Sequence, residues 1–160
     1  MPLSIRANAR CYSVVFIGVL EIERRNILQA TLLGMRRALA ALTEVPELAL
    51  IDGNQLPKRL CCAARAIVDG DALEPCISAA SILAKVARDR HMRQLDARHP
   101  GYGFAQHKGY STPEHVAALA RLGPCAIHRN GFEPVRRVIE RDLFDDFADP
   151  PEGLIPLPVL

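Results

Sequence analysis

Leu48-Ala49-Leu50-Ile51-Asp52-Gly53-Asn54 and, ten residues on, Ala64-Arg65-Ala66-Ile67-Val68-Asp69-Gly70-Asp71 are the two stretches that decide the fold. Each is a short apolar run that stops at an acid and a glycine. Runs of this length, bounded by turn residues, read as buried strands. A helix follows the second: Ala79, Ile82, Leu83 and Val86 recur at i, i+3, i+4 and i+7. That spacing predicts a long amphipathic helix over residues 77–98, closed by Pro100-Gly101. Upstream, Ile27, Leu28, Ala30, Leu32, Met35 and Leu39 predict one helix over residues 22–42, broken before Pro46. Residues 14–20 are apolar and rich in β-branched side chains, and predict a further buried strand. Strands alternating with helices indicate an α/β fold. The three strands all lie in the first half, which leaves the C-terminal half helical. There, Thr112-Pro113-Glu114 opens a helix with a cap, a first-turn proline and an acid suited to the dipole. Gly123-Pro124 closes it, and a last helix is expected over residues 133–146. Residues 147–160 form a Pro-rich tail with little periodicity, expected to be disordered or extended.

With 160 residues the chain can build one domain with a real core, and no linker divides it. A domain over residues 11–146 is expected. Lys and Arg number 20 against 18 Asp and Glu, so total charge neither demands nor forbids nucleic acid. The basic residues cluster at 85–93 and 129–141, which reads as two solvated helix faces or as a binding surface. The 5 cysteines form no CxxC pair. Their odd number and irregular spacing fit reduced thiols in the cytoplasm rather than a disulfide framework or a zinc site. Residues 11–20 are too short for a membrane span, which needs about 20 residues, and no cleavage motif follows them.

Asp52 and Asp71 each follow a predicted strand. In open α/β sheets, ligands bind beyond the carboxyl ends of the strands. If the strands are neighbours, both acids reach one crevice, where a hard cation such as Mg²⁺ or Mn²⁺ would relieve their repulsion. Such a site can activate water against a phosphodiester. The alternative is structural, with Asp52 a turn former and Asp71 a helix cap. Spacing alone leaves both open.

Longer strings add to this. Leu50 to Asn54, Gly70-Asp71, and Ile77-Ser78-Ala79-Ala80-Ser81-Ile82-Leu83-Ala84-Lys85-Val86-Ala87-Arg88-Asp89 resemble consecutive motifs of the ribonuclease HII family. So do Asn26-Ile27-Leu28-Gln29-Ala30-Thr31, Tyr102-Gly103-Phe104 and His107-Lys108-Gly109-Tyr110-Ser111-Thr112. The resemblance runs in order over residues 14–138. It implies an RNase H-like α/β sheet. It also implies metal-dependent hydrolysis of RNA in RNA–DNA hybrids, or of single ribonucleotides within duplex DNA, a task of replication and repair. Asp52 and Asp71 become two of four carboxylates that hold Mg²⁺ or Mn²⁺. Tyr110 is placed on the sugar at the RNA–DNA junction, the alternative being a surface turn residue. Asn54, Ser81 and Lys85 become further substrate contacts. Ser78, Ser81 and Lys85 share one helix face, where Lys85 can meet a phosphate or pair with Asp89.

Two departures matter. The family opens with a strand carrying Asp-Glu-x-Gly-Arg-Gly, which supplies the other two carboxylates and reads the 2′-OH. Residues 1–10 contain no Asp, Glu or Gly, and neither Glu21 nor Glu23 stands in that context. On this reading the sheet is incomplete and lacks N-terminal strands. Cleavage by this chain is then expected to be impaired, or replaced by duplex binding alone. Uncovered sheet edge is expected to cause poor solubility or dimerisation. Second, His128-Arg129-Asn130-Gly131-Phe132 stands where the family has a His-Arg-Arg-Ser-Phe-like string. The two changed central positions suggest looser packing or a lost phosphate contact.

Overall fold

Ten elements follow one another in a computed structural model that describes residues 2–145. The Pro-rich tail over residues 147–160 lies outside the described residues. Three helices come first: α1 Pro2–Asn8, α2 Val19–Arg25 and α3 Ile27–Ala40. Two strands follow, β1 Leu48–Asp52 and β2 Ala63–Ile67. Five helices follow among the described residues: α4 Gly70–Leu73, α5 Pro75–Arg98, α6 Phe104–His107, α7 Pro113–Leu122 and α8 Glu133–Asp145.

The strands β1 and β2 pair in parallel, with Leu48 opposite Ala63 and Asp52 opposite Ile67. Both therefore end at the same edge. In β1 the side chains of Ala49 and Ile51 are buried, the alternation that a one-sided sheet requires. None of the β2 residues is fully buried.

The strand expected over residues 14–20 does not form. Residues 9–18 lie outside helix and strand, and α2 begins at Val19. Among the described residues this segment has no ladder partner, and it packs across α3 instead. Ser13 donates its hydroxyl to the Ala38 carbonyl. Gly34 makes room for the packing, because a Cβ there would sit 3.2 Å from Ile17 Cγ1. Nor is the run a buried one: Phe16 and Leu20 are exposed. The single helix expected over 22–42 is two. Asn26 divides them at φ 67°, ψ 164°, and its side chain accepts from the Gln29 N–H at 3.0 Å. No residue other than glycine adopts that backbone conformation readily, and the side-chain cap on Gln29 is what the strained turn holds in place as one helix ends and the next starts.

The C-terminal helices match their expected limits closely. Thr112 accepts from the His115 N–H at 3.4 Å and Pro113 opens α7. The main core lies here and not over the sheet. It joins Tyr102, Phe104, Ala118, Leu119, Val135 and Val138, with Tyr102 stacked on Phe104 at 5.2 Å. Each large side chain buried this way contributes about 2–3 kcal/mol. Within α5 only Ile77 and Leu83 are fully buried, so its apolar stripe is narrower than the sequence pattern suggests.

Candidate functional site

Asp52 and Asp71 come together through the backbone of Gly70. Asp52 is the last residue of β1, and its Oδ1 accepts the Gly70 N–H at 2.9 Å. Asp71 is the next residue, in the first turn of α4. The Gly53 N–H donates to the Ile67 carbonyl at 2.8 Å and prolongs the pairing past the strand ends. Gly70 is constrained by close approach: a Cβ there would lie 2.6 Å from Ile77 Cδ1 and 3.2 Å from Asp52 Oδ1.

Asp52 reaches a backbone amide 18 residues away rather than its own turn. Asp71 caps neither α4 nor α5, whose capping positions belong to Asp69 and Glu74. Both carboxylates are exposed, and neither forms an ion pair among the described residues. Glu21 and Glu23 are engaged elsewhere. Glu21 takes a two-pronged bond from Arg37 at 2.6 and 2.8 Å, and Glu23 accepts the Asn130 N–H at 2.7 Å.

From this corner α5 runs as a spine. Ser78, Ser81, Lys85 and Arg88 fall within one side of the helix at i, i+3, i+7 and i+10. Asn54, Ser81 and Lys85 are exposed, and Lys85 makes no salt bridge with Asp89. Tyr110 stands beside Arg88, about 16 Å along the helix from Ile77 at the usual rise per residue. Its side chain is 59% exposed, yet it is not loose. The Arg88 guanidinium lies 4.7 Å from the ring centroid and donates to the Tyr110 hydroxyl at 3.1 Å. Its other nitrogen donates to the Lys108 carbonyl at 2.9 Å.

A histidine cluster, which pattern reading did not single out, underlies the Tyr110 loop. His107, His115 and His128 are all buried, around Phe104. His115 Nδ1 meets the Tyr110 carbonyl at 2.8 Å, and its Nε2 meets His128 Nε2 at 3.2 Å. The Cys125 N–H donates to His128 Nδ1 at 3.0 Å. Burial and the neighbouring His115 push His128 down to about 4, and burial lowers His115 as well. The only early signal was that His107 and His128 stand inside family-like strings. His115, on a helix with no such string, gave none.

Among the described residues no group of three or more His, Cys, Asp or Glu could hold a metal ion. No described helix is long and apolar enough to cross a membrane. The donor set at the strand ends is two carboxylates, oxygen only. That fits a hard divalent cation, as part of a coordination sphere rather than a closed cage.

The family described as Ribonuclease HII matches residues 5–135. Ribonuclease HII of Parvibaculum lavamentivorans is 59% identical over 126 residues, covering 79% of this chain and 47% of that protein. The Xylella fastidiosa strain M12 protein of that name is 56% identical over 131 residues, 82% of this chain and 56% of its own. That of Xanthomonas campestris pv. campestris strain 8004 is 52% identical over 151 residues, 92% and 63% respectively. The chain thus spans about half the length of the first two and somewhat more of the third. The crystal structure of ribonuclease H2 from Pyrococcus horikoshii OT3 superposes with a TM-score of 0.71 at 25% identity, over 88% of this chain and 74% of that one. Motif order, the α/β fold and these likenesses together show that the chain belongs to the ribonuclease HII family.

Proposed function

We propose that this chain recognises RNA–DNA junctions in a duplex and carries half of a metal-dependent site for hydrolysing the phosphodiester 5′ of a ribonucleotide. The observation that carries the reading is the Gly70 N–H bond to Asp52. It sets Asp52 and the adjacent Asp71 at the shared end of two parallel strands. Asp52 and Asp71 would hold Mg²⁺ or Mn²⁺, which when bound lowers the pKa of a water and offsets charge building on the phosphate. Gly70 fixes the direction of the Asp52 carboxylate, and the Asp52 oxygen not engaged by Gly70 is left for the cation. Lys85, with Ser81 on the same helix side and Asn54 beyond the β1 turn, meets the phosphate backbone. Tyr110 packs on the sugar where ribose gives way to deoxyribose. Residues 11–146 act as one domain in this reading, in the cytoplasm.

Two carboxylates hold a divalent pair poorly, so cleavage by this chain alone is slow or absent. Removing one member of a set that acts as a unit costs orders of magnitude. A second reading, duplex binding without cleavage, draws on the finding that among the described residues no group of three or more His, Cys, Asp or Glu could hold a metal ion.

The experiment offers the chain a duplex with a single ribonucleotide, and its all-DNA counterpart, with Mg²⁺ or Mn²⁺. Tighter binding to the ribonucleotide duplex with little cleavage is expected. Equal affinity for both duplexes would sink the substrate reading. Robust cleavage abolished by Asp52→Asn would sink the claim of impairment and support the metal-ligand role.

A further inference from the structure

The bonding around the histidine cluster fixes which nitrogen of each ring carries a proton. His128 Nδ1 accepts the Cys125 N–H, so it holds a lone pair. The proton of neutral His128 is then on Nε2, which donates to His115 Nε2 at 3.2 Å. His115 Nε2 is therefore an acceptor, its proton sits on Nδ1, and that N–H donates to the Tyr110 carbonyl at 2.8 Å. His107 follows the same logic. Its Nδ1 accepts the Gly109 N–H at 3.1 Å, and its Nε2 donates to the Tyr102 carbonyl at 2.7 Å. The rings of His107 and His115 stack at 4.2 Å. Every ring nitrogen is partnered, His128 Nδ1 also lying 3.1 Å from Cys125 Sγ, and from His128 to Tyr110 each bond requires the one before it.

This series ends on the backbone of the loop that presents Tyr110. The Lys108 carbonyl is held by Arg88, the Gly109 N–H by His107 and the Tyr110 carbonyl by His115. The exposed ring itself is held by Arg88. A core that only needed satisfied polar groups has no reason to gather its anchors on three consecutive residues beneath a solvent-facing aromatic ring. A contact residue held in its working geometry loses less freedom on binding.

We infer that the His128–His115 pair and Arg88 are positioning residues for Tyr110: they fix the backbone and the ring that meet the sugar at the RNA–DNA junction. The inference deepens the proposed function and rests on its assignment of Tyr110.

Two substitutions at one position separate positioning from packing. In His115→Asn the side-chain amide nitrogen takes the place of Nδ1 and keeps the bond to the Tyr110 carbonyl. In His115→Gln the side-chain amide oxygen takes the place of Nε2 and still accepts from His128, and the bond to the Tyr110 carbonyl is lost. Both remove a buried ring, so thermal melting should show similar destabilisation. Affinity for the ribonucleotide duplex relative to all-DNA duplex should separate them. His115→Asn is expected to stay within about twofold of the unaltered chain, and His115→Gln to lose about fivefold, the worth of one hydrogen bond. Tyr110→Ala should lose at least as much. Equal effects of Asn and Gln would overturn the inference, as would Gln leaving the ratio unchanged while Tyr110→Ala abolishes it. If Tyr110→Ala changes nothing, the assignment of Tyr110 itself is wrong and the inference falls with it. Ring-nitrogen NMR at neutral pH gives a readout independent of nucleic acid: a protonated Nδ1 on His128 would overturn the series of bonds.

Discussion

Lowering the pH from 7 to 5 should destabilise this fold through His128. The ring is 8% exposed and has an ordinary pKa of 6.5 when unfolded, which the fold depresses to about 4. Burial is the main cause. His115 adds to it, His99 and His107 less so, and no carboxylate contributes to the shift. Cys125 and Tyr102 are the other titratable groups against it. Glu114 lies near enough to His107 to be influenced by it, but it does not figure at His128. A depressed histidine binds fewer protons folded than unfolded, so stability rises with pH. The contribution is complete above about pH 6.5 and falls away down to about pH 4. At pH 5 the linkage relation gives a loss of about 2 kcal/mol from this group. His115 is shifted in the same direction and adds to the loss. For a chain of this size that lowers Tm by roughly 4–8 °C. The carboxylates do not confuse the measurement. Glu21 and Glu114 are held below their ordinary value of 4.5, so their contributions are lost only at lower pH. Calorimetry or circular dichroism melts at pH 7 and pH 5 would show the drop. In His128→Asn, which keeps an acceptor for the Cys125 N–H but cannot titrate, the drop should shrink by more than half. A Tm that moves less than about 1 °C, or a drop undiminished in that variant, would refute the reasoning.

Gly70→Ala should cost about 1–3 kcal/mol, because the new methyl meets Ile77 Cδ1 at 2.6 Å and must shift it; chemical denaturation measures it, and a neutral result would mean that α4 can move away freely. Arg88→Ala should leave Tm within about 2 °C, since it is an exposed side chain, yet lower binding to the ribonucleotide duplex more than binding to all-DNA duplex; a uniform loss would mark Arg88 as a simple phosphate contact. Thr112→Ala removes the cap of α7 and should cost about 0.5–1 kcal/mol, the low end because the bond is 3.4 Å long. The chain should self-associate as its concentration rises, given exposed Leu3, Phe16, Leu20, Val68 and Leu73 and a two-stranded sheet with open edges; a sharp monomer peak in size-exclusion chromatography across a hundredfold dilution would contradict this.

Local signals were legible wherever the chain's own neighbours decide the structure. The runs ending at Asp52 and before Asp69 became paired strands because each is bounded by turn residues. Thr112, Pro113 and Gly123 bracket α7 as their chemistry requires. The segment over residues 14–20 misled because β-branched composition reports a preference for extended backbone, not the presence of a partner. Among the described residues the segment joins no ladder, and Ile17 packs on Gly34 instead. Asn26 sits inside an unbroken apolar period, which predicts one helix running through it, and the cap it makes shows only in the folded backbone.

The site divides along the same line. Asp52 and Asp71 could be expected at one edge from sequence only if the two strands were neighbours, and their parallel pairing in the fold meets that condition. The cluster of His107, His115 and His128 could not. Its members are spaced 8 and 13 apart on α6, α7 and the loop before α8, and nothing in a one-dimensional pattern says that three rings will share one core. Their closure depends on α6, α7 and α8 packing around Phe104. Only then do the Cys125 N–H and the Tyr110 carbonyl become the two ends of one series of hydrogen bonds. A buried ring is the costliest of these groups to leave unsatisfied, so the packed helices and the Tyr110 loop must form together. The packing of the helical half and the placing of the Tyr110 backbone therefore both run through His115 and His128.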